Sequence, residues 1–462
     1  MTFPDGGTDN NEYGWRERWG VKFKWTPEHL TLKDLEPLIH TYDTIATEAV
    51  ERLDEISPPL SKTKLSREGD DAPRTEGKPR RDPYELLQKH SATDEKLGRL
   101  WDEINTILDW VDWEQIERGQ KVFYRYGGPA ITALTFMSLL GGMGSGRTVE
   151  TLDRTGGFSV DSVRRRLLET VQHTLNVTRD LASIKPGGDG FTDSVRVRLL
   201  HATVRRRIMR IAQTTPTYYD TRALGAPIND LDSIGTINAF SAAVLWIGLP
   251  RQGIRVRERE TGDYLSLWRY VAYLIGAPHD WLCTPASARR MMESLLVSEI
   301  EPGRASATLA NNIIAGLQDQ PPTYASRGFL CAQAHWLNGG ELAAALVLGQ
   351  CILFTVFSYV NRSFSYLDER NIKLVRKALF RVLLHDKSKG GLGYTTKVNF
   401  KHIPSLDRTS TARGLAPADD AGAWKKPRSV ERTALITLLT TATFAGAAFV
   451  WCYVKVVGWL TG

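Results

Sequence analysis

The sequence predicts an all-α protein in which a multi-helix body is followed by a single C-terminal transmembrane helix. Apolar residues in the body recur at three- and four-residue steps, which is the spacing of amphipathic helices. Alternating strand-like runs bounded by tight-turn dipeptides are scarce. Near the C-terminus, residues 433–454 form an uncharged and largely apolar run. The first two observations predict the helical class, and the third predicts the membrane segment.

Composition and charge exclude several classes of protein. The 462 residues are 42% hydrophobic and 24% charged, which suffices for one large domain or two ordinary ones. A net charge of +7, spread along the chain, argues against a dedicated nucleic-acid-binding protein. The four cysteines form no CxxC pair, so neither a disulfide scaffold nor a cysteine-ligated zinc site is expected.

Polar stretches divide the chain into regions. The segment from Ser57 to Arg81 is charged and nearly free of large apolar residues, which predicts a flexible insertion. We therefore expect an N-terminal region (1–84) that contains this insertion (57–81), a helical domain (85–386), a polar linker (387–432) and a membrane anchor (433–454).

The helices of the body follow from apolar stripes. Such stripes predict helices from Leu97 to Leu108, from Val163 to Leu175 and from Leu374 to Leu383. Breaks that contain glycine or proline, such as Gly156-Gly157, separate them.

The run from Thr433 to Val454 has the properties of a membrane anchor. It slightly exceeds the ~20 residues that an α-helix needs to cross a bilayer core. Basic residues precede it and aromatic residues gather at its far end, so the positive-inside rule puts the body in the cytosol. A buried core helix is the alternative. A second apolar run, Leu342 to Val360, is interrupted by Gln350 and predicts a core helix or a membrane-dipping surface more than a crossing.

A glycine-rich segment resembles a phosphate-binding loop in part. Residues 141–148 read GGMGSGRT, which matches the P-loop pattern except that Arg147 replaces the lysine. Arginine is bulkier and forked, so the exchange is not neutral. We favour a glycine-rich break between two helices, with nucleotide binding as the alternative.

One histidine occupies an apolar stripe. His201 lies four residues after Val197 and three before Val204, so it is expected to point at the core. Arg198 and Arg205 lie one turn to either side of it. A lone buried histidine is more often a hydrogen-bonded core residue than a ligand. Two arginines beside it call for something anionic between them, and a haem meets that need because imidazole ligates the iron while arginines hold the propionates.

The preceding helix carries a second polar set. Arg166 and Thr170 are four residues apart on one face, with Glu169 beside them. They form either a solvated edge or one wall of a pocket.

Together these segments resemble a known family, which comprises the latex-clearing protein (rubber oxygenase) and the membrane-bound MpaB-type oxygenases of the endoplasmic reticulum. The resemblance covers roughly residues 100–300. The stretches that carry it are WEQIERGQKVFYRYGG, TLDRTGGFS, RRLLETVQ, VRVRLLHATVR, GAPINDLDSIGTINAFS and YLSLWRYVAYLIG.

The resemblance implies roles for individual residues. His201 matches the proximal ligand of a haem b iron, and Arg198 and Arg205 match arginines that keep the haem bound. Arg166 and Thr170 match polar residues on the distal side of the iron. Glu169 replaces a lysine of the rubber oxygenase and is expected to act as a base or a hydrogen-bond acceptor.

Two further residues and the cellular location complete what the resemblance implies. Glu150 lies near the place of a proposed catalytic base, and Thr236 is expected to line the haem pocket. The membrane-bound branch of the family favours the endoplasmic reticulum, although its usual anchor is N-terminal.

The expected protein is thus a globin-like, multi-helix haem-binding domain on a tail anchor. Its expected activity is oxidative cleavage of a C=C bond in a hydrophobic, isoprenoid-like substrate with O2. The alternatives are hydroxylation or desaturation by the same fold, and a haem-free membrane scaffold. The sequence leaves the substrate's identity and the oligomeric state open.

Overall fold

The helical prediction is confirmed in a computed structural model of the chain. The structure describes residues 13–59, 81–320, 323–346, 348 and eight residues between 429 and 444. Within these residues the only strands form a small antiparallel hairpin that pairs Trp15 with Lys24. Helices make up almost all the remaining regular structure.

The elements follow one another along the chain with short connections. The N-terminal part contains β1 (Trp15–Arg18), β2 (Val21–Lys24), α1 (Leu32–Leu35), α2 (Thr44–Ile56), α3 (Pro83–His90), α4 (Glu95–Asn105), α5 (Trp113–Arg125) and α6 (Gly127–Thr132). The central part contains α7 (Gly146–Thr155), α8 (Val160–Arg179), α9 (Leu181–Ile184), α10 (Asp189–Thr214), α11 (Thr221–Leu224) and α12 (Asp230–Phe240). The last described part contains α13 (Leu249–Arg251), α14 (Glu258–Leu274), α15 (Pro285–Ser298), α16 (Arg304–Leu317), α17 (Arg327–Asn338) and α18 (Gly340–Ala345).

Two π-helical segments interrupt the regular helices. Ala133–Gly141 continues α6, and Val244–Gly248 leads into α13. The segments pack on each other, since a Cβ added at Gly248 would lie 2.5 Å from the Ala133 side chain. π-Helical segments frequently occur at functional sites.

One hydrophobic core joins most of the described helices. It includes Leu35, Val50 and Leu53, which lie N-terminal to the predicted domain start at residue 85. The core therefore begins earlier in the chain than the composition indicates. The reason is that α2 packs its apolar face against α10, which is far away in the sequence.

The long central helices α8 and α10 are antiparallel neighbours. α10 also packs against α2, α3 and α14. These contacts place the middle of α10, where His201 lies, inside the body of the protein.

One described helical stretch, Asp230–Arg251, is long and apolar enough to cross a membrane by length and composition alone. Most of it is buried inside the body, as expected of a core helix. In the second apolar run, Leu342 and Leu346 are buried, and the rest of that run lies almost wholly outside the described residues.

Several predicted segments fall outside the described residues. They are most of the insertion at 57–81, the helix at 374–383, nearly all of the linker and most of the anchor at 433–454. The described residues of the anchor are helical, and Ile436, Leu439 and Phe444 expose their side chains.

The contact between α5 and α14 at Gly119 has no room for a side chain, and this offers a test of the packing. α5 lies directly on α14, and a Cβ on Gly119 would lie 2.2 Å from the backbone oxygen of Asp263. Gly119→Ala is expected to lower the free energy of unfolding by about 2 kcal/mol, because the two helices must separate. Chemical denaturation measures this change.

Gly340→Ala is the matched control. Gly340 is exposed at the start of α18 with no heavy atom within 4 Å of an added Cβ. Alanine there is expected to be neutral or to stabilise by less than about 1 kcal/mol through helix propensity. Equal losses in both variants would contradict the close α5–α14 contact.

Candidate functional site

A large cavity opens between the central helices. Its volume is about 740 Å³, within the usual range for ligand pockets of roughly 300–1,000 Å³. Its walls come from the first π-helical segment and from α7, α8, α10, α12, α14 and α15. Most of the lining is apolar, with a few polar side chains that converge on it. This combination is typical of a binding site for a hydrophobic molecule.

His201 lies in the wall of this cavity, as the apolar stripe predicts. It lines the cavity together with Val197, Leu200 and Val204 of the same helix. Its ring has no hydrogen-bond partner among the residues that the structure describes. Burial and, to a smaller extent, the positive charge of Arg205 lower the pKa of His201 to about 4. The imidazole is therefore neutral at pH 7, which is the form that ligates metal ions.

The predicted polar set of α8 also lines the cavity. The buried Glu169 carboxylate accepts a hydrogen bond from Nη1 of Arg166 at 2.8 Å and another from Nε of Arg165 at 2.9 Å. The Thr170 hydroxyl donates to the backbone oxygen of Arg166 at 3.1 Å. These polar groups face the cavity on the helix that packs beside His201.

Arg198 faces away from the cavity and makes a buried ion pair. Its Nε lies 2.7 Å from Oδ2 of Asp43, and its Nη2 lies 2.9 Å from Oε1 of Glu103. Gly276, with φ +72°, leaves room for the pair, since an added Cβ would lie 2.4 Å from Asp43 Oδ2. The Nη1 atom of Arg198 has no partner among the described residues. In this structure Arg198 fixes α10 to α2.

Arg205 also turns away from the cavity. It donates to the backbone oxygen of Ile228 at 2.7 Å and to the Thr47 hydroxyl at 3.0 Å. It thereby ties α10 to α2 and to the loop before α12. Neither Arg205 nor Arg198 lines the cavity, so their contact with haem propionates stays a prediction from the resemblance.

Helix geometry explains why these arginines and His201 separate. At 3.6 residues per turn, Arg198 and Arg205 project about 40–60° to one side of His201, while the lining residues Val197 and Val204 project about 40–60° to the other. His201 thus lies at the edge of the cavity face, and the arginines lie on the face toward α2. The spacing gives these angles, but it does not show that the edge of the cavity falls between His201 and the two arginines.

The two remaining predicted residues have different positions. Thr236 lines the cavity, and its hydroxyl donates to the backbone oxygen of Asp232 at 2.8 Å. Glu150 does not line the cavity; its carboxylate pairs with Arg154 at 2.5 Å and is 39% exposed. The residues of α7 that line the cavity are Thr148, Thr151, Leu152 and Thr155, so the Glu150 side chain projects away from it. This placement does not favour Glu150 as a base.

Several residues that the sequence analysis missed also line the cavity. His173 continues the polar stripe of Arg166, Glu169 and Thr170 at helical spacing, and that spacing was the signal that could have found it. Burial lowers the pKa of His173 to about 4. Arg164 also lines the cavity and has no ion-pair partner among the described residues.

The glycine-rich segment 141–148 is a break between helices, as favoured above. The π-helical segment ends at Gly141 and α7 begins at Gly146. The residues before it are helical and form no strand, so the P-loop context is absent there. Arg147 is paired with Glu299, and Asp232 lies 3.8 Å from it. Its guanidinium is therefore committed to carboxylates of the protein.

The site residues fit a haem held through His201. The imidazole is neutral, has no partner among the described residues and opens to a large apolar cavity, so it would suit the iron of a buried porphyrin. Arg164 and Arg166 line the same cavity and could face acidic groups. Among the described residues, no three His, Cys, Asp or Glu side chains converge on a common metal position. A metal at His201 would thus need further ligands from a cofactor.

Comparisons with known proteins identify a family that the chain resembles. Residues 124–353 match the catalytic domain of the family described as ER-bound oxygenase mpaB/B'/rubber oxygenase. The chain is 22% identical over 284 residues to the rubber oxygenase of Streptomyces sp. (strain K30), covering 57% of this chain and 65% of that protein. The matched part thus spans less than two thirds of that relative.

The fold is also similar to a solved structure. The latex clearing protein LCP in its closed state superposes with a TM-score of 0.56 at 16% identity, over 85% of this chain and all of that one. Residues 124–353 thus match the catalytic domain of the mpaB and rubber oxygenase family, and the predicted resemblance to that family and the predicted helical class are both confirmed.

The Arg198 ion pair provides a test of how α10 is held. Arg198→Ala leaves Asp43 buried without its partner, so the free energy of unfolding is expected to fall by about 3 kcal/mol. This loss should appear even in cofactor-free protein, because the contact is internal to the chain. Thermal or chemical denaturation of the cofactor-free protein measures it.

The exposed pair of Arg99 and Glu48, 3.7 Å apart, supplies the control. Arg99→Ala is expected to cost less than about 1 kcal/mol. A cofactor-free Arg198→Ala protein as stable as the wild type would show that Arg198 acts only on a bound ligand.

Proposed function

We propose that this protein is a membrane-anchored, haem b-dependent oxygenase that cleaves a C=C bond of a hydrophobic, isoprenoid-like substrate with O2. The observation that carries the proposal is the neutral His201 imidazole, which has no protein partner among the described residues and opens onto a large apolar cavity. The match to the catalytic domain of the mpaB and rubber oxygenase family supports the same chemistry.

The cofactor would supply an iron able to bind and activate O2, and histidine ligation with its weak electron donation suits O2 addition better than hydroxylation of the P450 type. In the overall reaction one O2 adds across the C=C bond, which breaks to give two carbonyl groups with one oxygen atom each.

The chain's own residues would hold the reactants. His201 would bind the iron, and Arg164 would pair with an acidic group at the edge of the cavity. Arg166, which Glu169 orients through a 2.8 Å contact, would supply a hydrogen-bond donor on the polar side. The apolar lining would bind the substrate chain and exclude water from the reacting bond.

The proposed location is the membrane of the endoplasmic reticulum, with the body in the cytosol. Its basis is the uncharged run at 433–454, together with the exposed apolar side chains of Ile436, Leu439 and Phe444. A hydrophobic substrate would then reach the cavity from the bilayer.

The visible spectrum and the iron content test the cofactor assignment. The purified wild type is expected to show a Soret band with about one iron per chain. His201→Ala is expected to lose the band while keeping its helical circular dichroism, because the other histidine of the cavity wall, His173, is held by the Ser194 hydroxyl at 3.0 Å.

His29→Gln is the control for loss of a buried histidine. His29 pairs with Glu293 at 2.9 Å and does not line the cavity, so this variant should keep the band. A wild type without iron, or a His201→Ala protein with an unchanged Soret band, would overturn the proposal.

Cyanide binding distinguishes the proposed roles of Glu169 and Glu150. Glu169→Gln removes a buried negative charge from the cavity wall and releases Arg166. The affinity of the oxidised protein for cyanide is therefore expected to rise roughly tenfold. Spectral titration with cyanide measures the dissociation constant.

Glu150→Gln should leave the cyanide affinity unchanged, because Glu150 pairs with Arg154 outside the cavity. Equal changes in both variants, or a change confined to Glu150→Gln, would show that the cavity assignment of Glu169 is wrong.

A further inference from the structure

Asn238 is a buried amide whose side chain makes no hydrogen bond with the residues that the structure describes. It lies in α12, is 8% exposed and lines the large cavity. Its Oδ1 is enclosed without a partner, and its Nδ2 has none among the described residues either. Buried polar side chains almost always have a hydrogen-bond partner, so this one requires an explanation.

The other cavity asparagine shows what a structural role looks like. Asn338 is 2% exposed, and its Nδ2 donates to the backbone oxygens of Phe136 and Ala334 at 2.8 and 2.9 Å. The bond to Phe136 holds α17 against the first π-helical segment, and the bond to Ala334 lies within α17. The Asn238 side chain makes no such contact with the described residues, so that part of the fold gains nothing from its polarity.

The cavity that Asn238 lines is largely apolar, and its lining includes Phe240 and Ala243. Ser138 also lines it, but its hydroxyl already donates to the backbone oxygen of Ala239 at 2.5 Å. The Phe240 ring packs on Trp268 at 5.0 Å, and Nε1 of Trp268 is buried without a hydrogen bond to the residues that the structure describes. An amide and an indole N–H in a largely apolar cavity can serve a ligand that carries one polar group.

We propose that Asn238 hydrogen-bonds a hydroxyl or carbonyl group of the substrate, so that the substrate is an amphiphilic isoprenoid-like molecule and not a pure hydrocarbon. This inference rests on the proposed function for the apolar part of the substrate. A carboxamide carries no charge and both donates and accepts, so it matches a neutral oxygen group better than a carboxylate or a phosphate. The binding partner is therefore a neutral polar group at one point of an apolar chain.

The test compares Asn238→Leu with Asn338→Leu in the purified full-length protein. Leucine has nearly the same shape as asparagine, so it removes the polar group and keeps the packing. Without ligand, Asn238→Leu is expected to be at least as stable as the wild type, because it removes an unsatisfied buried amide. Asn338→Leu is expected to lower the midpoint of thermal unfolding, because it breaks two backbone contacts.

Binding is measured by equilibrium dialysis with two probes, farnesol and the hydrocarbon farnesene. The wild type is expected to bind farnesol about tenfold more tightly than farnesene, and Asn238→Leu should lose that preference by weakening farnesol alone. Equal affinities of the wild type for both probes would overturn the proposal, as would an unchanged preference in Asn238→Leu.

The iron content of Asn238→Leu separates the substrate from the cofactor. An unchanged Soret band together with the lost preference supports a substrate contact. A lost Soret band would overturn the proposal, since Asn238 would then serve the cofactor. The probes bind the cavity of the protein itself. A wild type that lacks haem but still prefers farnesol would therefore overturn the proposed function without contradicting this inference.

Discussion

The ion pair between Arg198 and Asp43 is the contact on which the site depends. Asp43 begins α2 by accepting the backbone N–H of Ala46 at 3.0 Å, and the same carboxylate holds Arg198 of α10 at 2.7 Å. Since both side chains are almost fully buried, neither charge can return to water without opening the structure. Two elements 155 residues apart in the chain are thereby joined at the helix that carries His201.

Helix α10 has one face that packs and another that lines the cavity. On the first face, Arg198 and Arg205 bind α2 and the loop before α12, while on the adjacent face His201 borders the cavity. Arg205 stays close enough to lower the pKa of the His201 imidazole, although burial is the larger cause. A neutral histidine at the edge of an apolar cavity is the result.

The cavity itself has few polar groups, and most of them already have partners. Glu169 is held by two arginines, Thr236 bonds back into its own helix, and Asn338 supports the helix packing. Within the part of the chain that the structure describes, His201, Arg164, Asn238 and the indole N–H of Trp268 are among the groups that line the cavity without such partners. Polar groups that the fold does not use are the ones available to ligands.

The sequence by itself determined the helical class, the inward direction of His201 and the polar face of Arg166, Glu169 and Thr170. Each of these follows from residue spacing within one helix, where 3.6 residues per turn decides which side chains share a face. The anchor at 433–454 is also an inference from local composition, and it stays a prediction because most of it lies outside the described residues.

Only the tertiary structure decided which helix faces border the cavity. It turned Arg198 and Arg205 toward α2, directed Glu150 outward and left Asn238 without a partner, and none of these outcomes has a signal in the local pattern. The physical reason is that a side chain's role depends on groups brought to it by distant segments, as Asp43 is brought to Arg198. Periodicity gives the direction of a residue within its own helix, whereas the partner that it meets is set by how the helices pack.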